Sequence, residues 1–233
     1  MFLTRLKRHF PWITLLVLAL AVGAMDPNFL RPQNLIELAG DIAPLFIMAL
    51  GMTLVIYIGG IDLSSQSVAN MITVLATISL PFFGVFTALI IVVVGLVFGA
   101  VSGLVTTRLK VPSFIATLAV GGIALSVGQY ASGQRALYMD AGERDQAFSW
   151  MVGKTASIPH ELIVSLVLLA LAWFIQNRMT AGRTLKAIGA GELAAVASGI
   201  RVDRYKVLAF ALSGMFAAIA GLMFAVKLSG GSP

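Results

Sequence analysis

The sequence predicts an all-α, polytopic transmembrane helix bundle, and three observations carry that prediction. Apolar residues make up 59% of the 233 residues and charged residues 11%, with a mean hydropathy of +0.96, far outside the range of soluble domains. The apolar residues gather into seven runs, near 10–25, 42–61, 66–83, 85–106, 113–131, 161–177 and 207–227, most of them about as long as a bilayer crossing needs. The basic residues collect in alternate connections, as the positive-inside rule requires.

The first run follows Arg5, Lys7 and Arg8 and resembles a signal peptide over Trp12–Ala24, but no small-x-small cleavage site leads into a soluble domain. It reads as a retained first span beginning near Phe10, with the N-terminus cytoplasmic. Alternating the connections puts Arg5, Lys7, Arg8, Arg108, Lys110, Arg178, Arg183, Lys186, Arg201, Arg204 and Lys206 on the inner side, 11 of the 16 basic residues. Arg31, Arg135, Arg144, Lys154 and Lys227 fall outside, together with Asp26, Glu37, Asp41, Asp140, Glu143, Asp145 and Glu161. The net charge of +6 therefore belongs to membrane topology and not to nucleic-acid binding.

Helix boundaries carry local signals. Pro44 and Pro112 each fit the first turn of a helix, where a missing N–H costs nothing, and so start the second and fifth spans. Gly95, Gly99 and Gly103 recur on one face of the fourth span, and Gly214, Ala217, Ala218 and Gly221 form a similar stripe in the last. Such stripes are close-packing faces, either within one subunit or in a homodimer or pore lining. Ser132–His160 reads as a polar outer loop.

Gly59-Gly60-Ile61-Asp62-Leu63-Ser64-Ser65 separates two adjacent spans. Its glycines can end one helix, and Asp62, Ser64 or Ser65 can cap the next. Alternatively, a broken helix beside a carboxylate exposes polar groups to a translocation path. Gly121-Gly122 is a second, weaker break signal.

Enzymatic chemistry has little to work with. There is no cysteine, the histidines His9 and His160 lie at span edges, and no His-Glu-x-x-His pair or serine–histidine pairing occurs within a span. A metal site is therefore not expected. No Gly-x-x-x-x-Gly-Lys-Ser/Thr loop is present, so ATP chemistry of that kind would have to reside in another polypeptide. The spans hold almost no ionisable residue and Asp62 is the sole candidate for one at midplane depth, which disfavours an ion-coupled secondary carrier without excluding it.

Residues 178–206 form a basic, glycine-punctuated insert between the last two apolar runs. They read either as a solvated, topology-setting loop or as a docking element.

In order along the chain, Gly59-Gly60-Ile61-Asp62-Leu63-Ser64, Val111-Pro112-Ser113-Phe114-Ile115-Ala116-Thr117-Leu118, Thr180-Ala181-Gly182-Arg183 with Ala187-Ile188-Gly189, and Ala194-Ala195 with Ser198-Gly199-Ile200-Arg201-Val202 resemble the membrane permease subunits of bacterial monosaccharide ABC importers. That group handles ribose and xylose and includes autoinducer-2 permeases. The resemblance implies one permease domain over 1–233, multi-pass in the inner membrane, with residues 178–206 as a cytoplasmic coupling loop. In that loop Gly182, Arg183, Glu192, Ala194, Ala195 and Gly199 would meet a separate ATPase, and Ala194-Ala195 with Gly199 resembles the Ala-Ala-x-x-x-Gly core of a coupling helix. It implies that this chain binds no cofactor itself, ATP and magnesium being held by the ATPase. It also implies a second permease copy, identical or not, and a periplasmic sugar-binding protein. Gly59, Gly60, Asp62 and Ser64 are the candidate helix break or pathway residues. About seven spans of an expected ten are present, so the chain is expected to be C-terminally truncated. An autoinducer-like ligand and a non-transporting assembly subunit are the other readings.

Overall fold

A computed structural model describes residues 2–151 and 153–233, with side chains at residue 10, residues 12–151 and 153–233. The side chains of Arg5, Lys7, Arg8 and His9 lie outside the described residues. Each of the seven apolar runs coincides with a helix: α1 (Phe2–Met25), α2 (Pro32–Tyr57), α3 (Ser65–Phe83), α4 (Thr87–Arg108), α5 (Ser113–Ser132), α7 (His160–Arg178) and α10 (Val202–Lys227). Ser65–Arg108 is 44 residues of continuous apolar sequence, about 66 Å if straight and thus twice a bilayer core. It is broken by a single 3-10 turn at Gly84–Phe86, where Gly84 takes φ +52.

Two expectations are corrected. Pro44 does not start α2. The helix begins twelve residues earlier at Pro32 and Pro44 lies buried inside it, because the polar residues Glu37 and Asp41 lower hydropathy over its N-terminal part without breaking the helix. Gly121-Gly122 does not break α5, which runs unbroken from Ser113 to Ser132. Gly121 instead permits close approach, since a Cβ there would lie 3.3 Å from both Ser64 Cα and Ser67 Oγ.

α10 is the axis of the bundle and packs on α4, α2 and α3. The two small-residue stripes meet each other: Gly95 lies against Gly214 and Ala218, Gly99 against Phe210 and Ala211, and Gly103 against Val207. With no hydrophobic drive between helices in lipid, such backbone-to-backbone approach supplies the packing. The stripes therefore serve packing within one subunit.

The two ends differ. At one end lie the C-terminal ends of α2, α4 and α7, with α8 (Thr180–Ala190) and α9 (Glu192–Ala197) laid across them. At the other end the segment 133–159 is folded, not a plain loop. It comprises β1 (Leu137–Tyr138), α6 (Ala141–Phe148) capped by the Asp140 carboxylate, and the hairpin of β2 (Lys154–Thr155) and β3 (Ile158–Pro159). β1 pairs antiparallel with β4 (Gly230–Gly231). Ion pairs Lys154–Glu37 and Lys227–Asp41, each 2.6 Å, fix this end. Hydrogen bonding and attraction from Glu37 raise the Lys154 ammonium above the usual lysine value, so on the lysine side the pair persists through neutral pH and is lost as pH rises past that raised value.

Gly99→Leu is expected to lower the thermal stability of the detergent-purified protein by an amount equivalent to several kcal/mol, the upper range for overpacking. Gly122→Ala, where an added Cβ meets nothing within 4 Å, is expected to leave the melting curve unchanged.

Candidate functional site

The chain between α2 and α3 is unwound from Ile58 to Ser64, with Ile58, Asp62 and Ser64 buried in the bundle and Gly59, Ile61 and Leu63 exposed. Gly59, at φ +73, ends α2 in the left-handed conformation that glycine adopts without penalty. Gly60 is held closely, since a Cβ there would lie 2.9 Å from Val55 Cγ1 and 3.3 Å from the Phe210 ring.

Unwound backbone within a membrane bundle needs partners from side chains. The Ile61 N–H donates to Ser113 Oγ at 3.0 Å, and the Leu63 N–H donates to Thr117 Oγ1 at 3.0 Å, both on α5. The sequence motif around Pro112 thus serves the one around Gly59.

Asp62 is 3% exposed. One carboxylate oxygen accepts from the Ser64 N–H at 2.9 Å and the Ser64 hydroxyl at 2.6 Å, and the other accepts from the Ser213 hydroxyl of α10 at 2.6 Å. Ser213 lies eleven residues into α10, about 16 Å along the helix from its start. The local turn matches the capping expectation only in part. Asp62 closes a turn onto Ser64, and no side chain caps α3 itself. Its bond to Ser213 is a tertiary tie between the break and the central helix. Sequence reading named Ser113 and Thr117 only as part of the motif around Pro112, without a role, and missed Ser213, a lone hydroxyl in an apolar run.

A cavity of about 770 Å³ opens beside the break, toward the end that carries β4, between α2, α3, α5 and α10. Gln66, Asn70 and Thr73 of α3 line it opposite Leu45, Met48 and Phe224. The sequence signal was there, as polar residues at i, i+4 and i+7 share one helix face.

On the opposite side of the break, a smaller cavity of about 330 Å³ reaches Lys110, Glu192, Asp203 and Lys206. The structure divides the six coupling residues. Gly182 and Ala195 are buried, and a Cβ on Gly182 would collide with the end of α7 at Ile175 and Gln176. Arg183, Glu192, Ala194 and Gly199 are exposed. Glu192 is paired with Lys206 at 2.7 Å, and Gly199, at φ +81 with free space around it, turns the chain out of α9. The outward face of α9 is apolar, with Leu193 87% exposed and Val196 also exposed.

α8 is helical and not a loop, with Leu185 and Ile188 buried against the bundle. Gly189 sits directly on the Tyr57 carbonyl at the end of α2. α8 therefore abuts the helix that the break terminates. Among the described residues there is no cluster of metal-ligating side chains.

A family model described as "Branched-chain amino acid transport system / permease component" matches residues 34–233. The ribose import permease protein of Haemophilus influenzae is 31% identical over 95% of this chain and 70% of its own length. That of Bacillus subtilis is 32% identical over 96% of this chain and 70% of its own. The autoinducer 2 import system permease of Yersinia pseudotuberculosis is 28% identical over 93% of this chain and 61% of its own. No solved structure matches.

Ser213→Ala leaves one oxygen of a buried carboxylate unpartnered and is expected to destabilise the purified protein by about 1.5–3 kcal/mol, as for other hydrogen bonds to charged groups. Ser126→Ala, whose hydroxyl bonds only within its own helix at Gly122, is the matched control and is expected to unfold as the parent does.

Proposed function

This chain belongs to the branched-chain amino acid transport system permease component family, and on that premise we propose that it is the membrane permease subunit of an ATP-driven importer of a monosaccharide, seated in the bacterial inner membrane. The observation that carries the sugar assignment is the likeness to ribose import permeases over 95% of the chain. ATP and magnesium are held by a separate cytoplasmic ATPase, a second permease copy completes the pathway, and a periplasmic binding protein delivers the sugar.

The inner end supports this reading. α9 presents Leu193 and Val196 outward, Arg183, Arg201 and Arg204 are exposed in the segments on either side of it in the chain, and exposed apolar side chains of this kind gain about 1.5–3 kcal/mol each when fully buried in a partner. α8 connects that face to the end of α2 and hence to the break at Gly59. Closure of the ATPase on α9 would move the lower ends of α2 and α10 together, with Asp62–Ser213 holding the break to α10. Gly182 and Ala195 seat the element on the bundle, and Arg183, Ala194 and Gly199 face the partner.

Uptake of D-ribose into inverted-control and right-side-out vesicles carrying the complete importer is expected to be abolished by vanadate and to survive an uncoupler. Uncoupler-sensitive uptake without any ATPase would replace the reading with an ion-coupled carrier. Leu193→Glu is expected to reduce co-purification of the ATPase and the vanadate-sensitive uptake by about tenfold or more, equivalent to 1.4 kcal/mol of lost docking. Unchanged co-purification would remove α9 from this role.

A further inference from the structure

We propose that the α3 edge formed by Gln66, Asn70 and Thr73 is the subsite that hydrogen-bonds the hydroxyl groups of an uncharged monosaccharide during passage. The assignment rests on the importer reading above and gives it a place and a chemistry.

Cavity size is the first support, since about 770 Å³ lies within the range of small-molecule sites. The second is the two-sided lining. The polar side chains of Gln66, Asn70 and Thr73 come from α3, whereas α2 and α10 contribute the apolar Leu45, Met48 and Phe224. A sugar ring has hydroxyls at its edge and C–H groups on its faces, so it fits between a polar and an apolar wall.

Donor and acceptor capacity is the third. Each amide of Gln66 and Asn70 offers two N–H donors and a carbonyl acceptor. Among the described residues, no hydrogen bond engages either amide, while the Thr73 hydroxyl donates to the Asn70 carbonyl of its own helix at 2.7 Å and so faces a ligand as an acceptor. Sugar hydroxyls donate and accept at once, and this edge meets both needs.

Charge is the fourth. No ionised side chain lines the cavity, and Asp62 has both oxygens occupied by Ser64 and Ser213. A zwitterionic amino acid would enter with its ammonium and carboxylate unpaired, at a cost of several kcal/mol each. Gln66 supplies a fifth point. It is exposed on a membrane-crossing helix, a placement that suits a water-filled path and not lipid.

The chain contains no cysteine, so single cysteines report cleanly. In membrane vesicles carrying the full chain with its importer partners, Asn70→Cys and Gln66→Cys are expected to react with a water-soluble methanethiosulfonate reagent. Saturating D-ribose, D-xylose or D-galactose is expected to slow at least one of these reactions about fivefold or more by occupancy, with L-leucine having no effect. Leu89→Cys, on the exposed apolar face of α4, is expected to be unaffected by any of them. Absence of reaction at both positions, absence of protection by all three sugars, or protection by L-leucine would overturn the assignment. Vanadate-sensitive D-ribose uptake by the unsubstituted chain is scored alongside. If it persists while protection fails, the α3 subsite falls and the importer reading stands, whereas its loss removes the importer reading itself.

Discussion

The structure depends on how an unwound segment is made tolerable inside a helical bundle. The N–H groups of Ile61, Leu63 and Ser64 find side-chain and not helical acceptors, and within a membrane bundle an unpaired N–H costs several kcal/mol. Two α5 hydroxyls accept from Ile61 and Leu63, and the Asp62 carboxylate ties Ser64 to Ser213 of α10. Asp62 and Ser64 are buried, so removing Ser213 leaves a polar group unpaired inside the bundle and loosens the whole constraint. It fixes where α2 stops, where α3 starts and how both meet α10.

Function follows from what the break positions. On one side, α3 begins inside the bundle and turns Gln66, Asn70 and Thr73 toward the larger cavity. On the other, the end of α2 lies under Gly189 of α8, and the smaller cavity reaches Glu192 and Lys206. One joint therefore touches the surface that would receive force and the space that would hold cargo. The glycine stripes of α4 and α10 keep the remaining helices close enough for movement at one end to carry along the axis.

Much of this was legible in the sequence. The seven apolar runs each correspond to a helix, the stripes Gly95/Gly99/Gly103 and Gly214/Gly221 mark real close approaches, and the signal at Gly59–Ser64 marks a real break. Boundaries were less legible. Glu37 and Asp41 hid the first ten residues of α2 because hydropathy averages over a window, while their charges are met by Lys154 and Lys227, more than a hundred residues away. α8 was read as loop because its glycines dilute helix propensity, and its stability comes from Leu185 and Ile188 packing on the bundle. The role of Ser113, Thr117 and Ser213 as partners of the break could not be read, although the first two lie in a motif the sequence marked, since single hydroxyls in apolar helices gain meaning only from tertiary contact.

Backbone hydrogen exchange across residues 58–64 of the purified protein tests the central constraint most directly. The account predicts that the amides of Ile61 and Leu63, although outside any helix, exchange slowly, and that Gly59 and Gly60 bound a protected island centred on Asp62. Exchange at Ile61 and Leu63 as fast as in an unstructured peptide would contradict it, because the break would then be a loose connection and not a held joint.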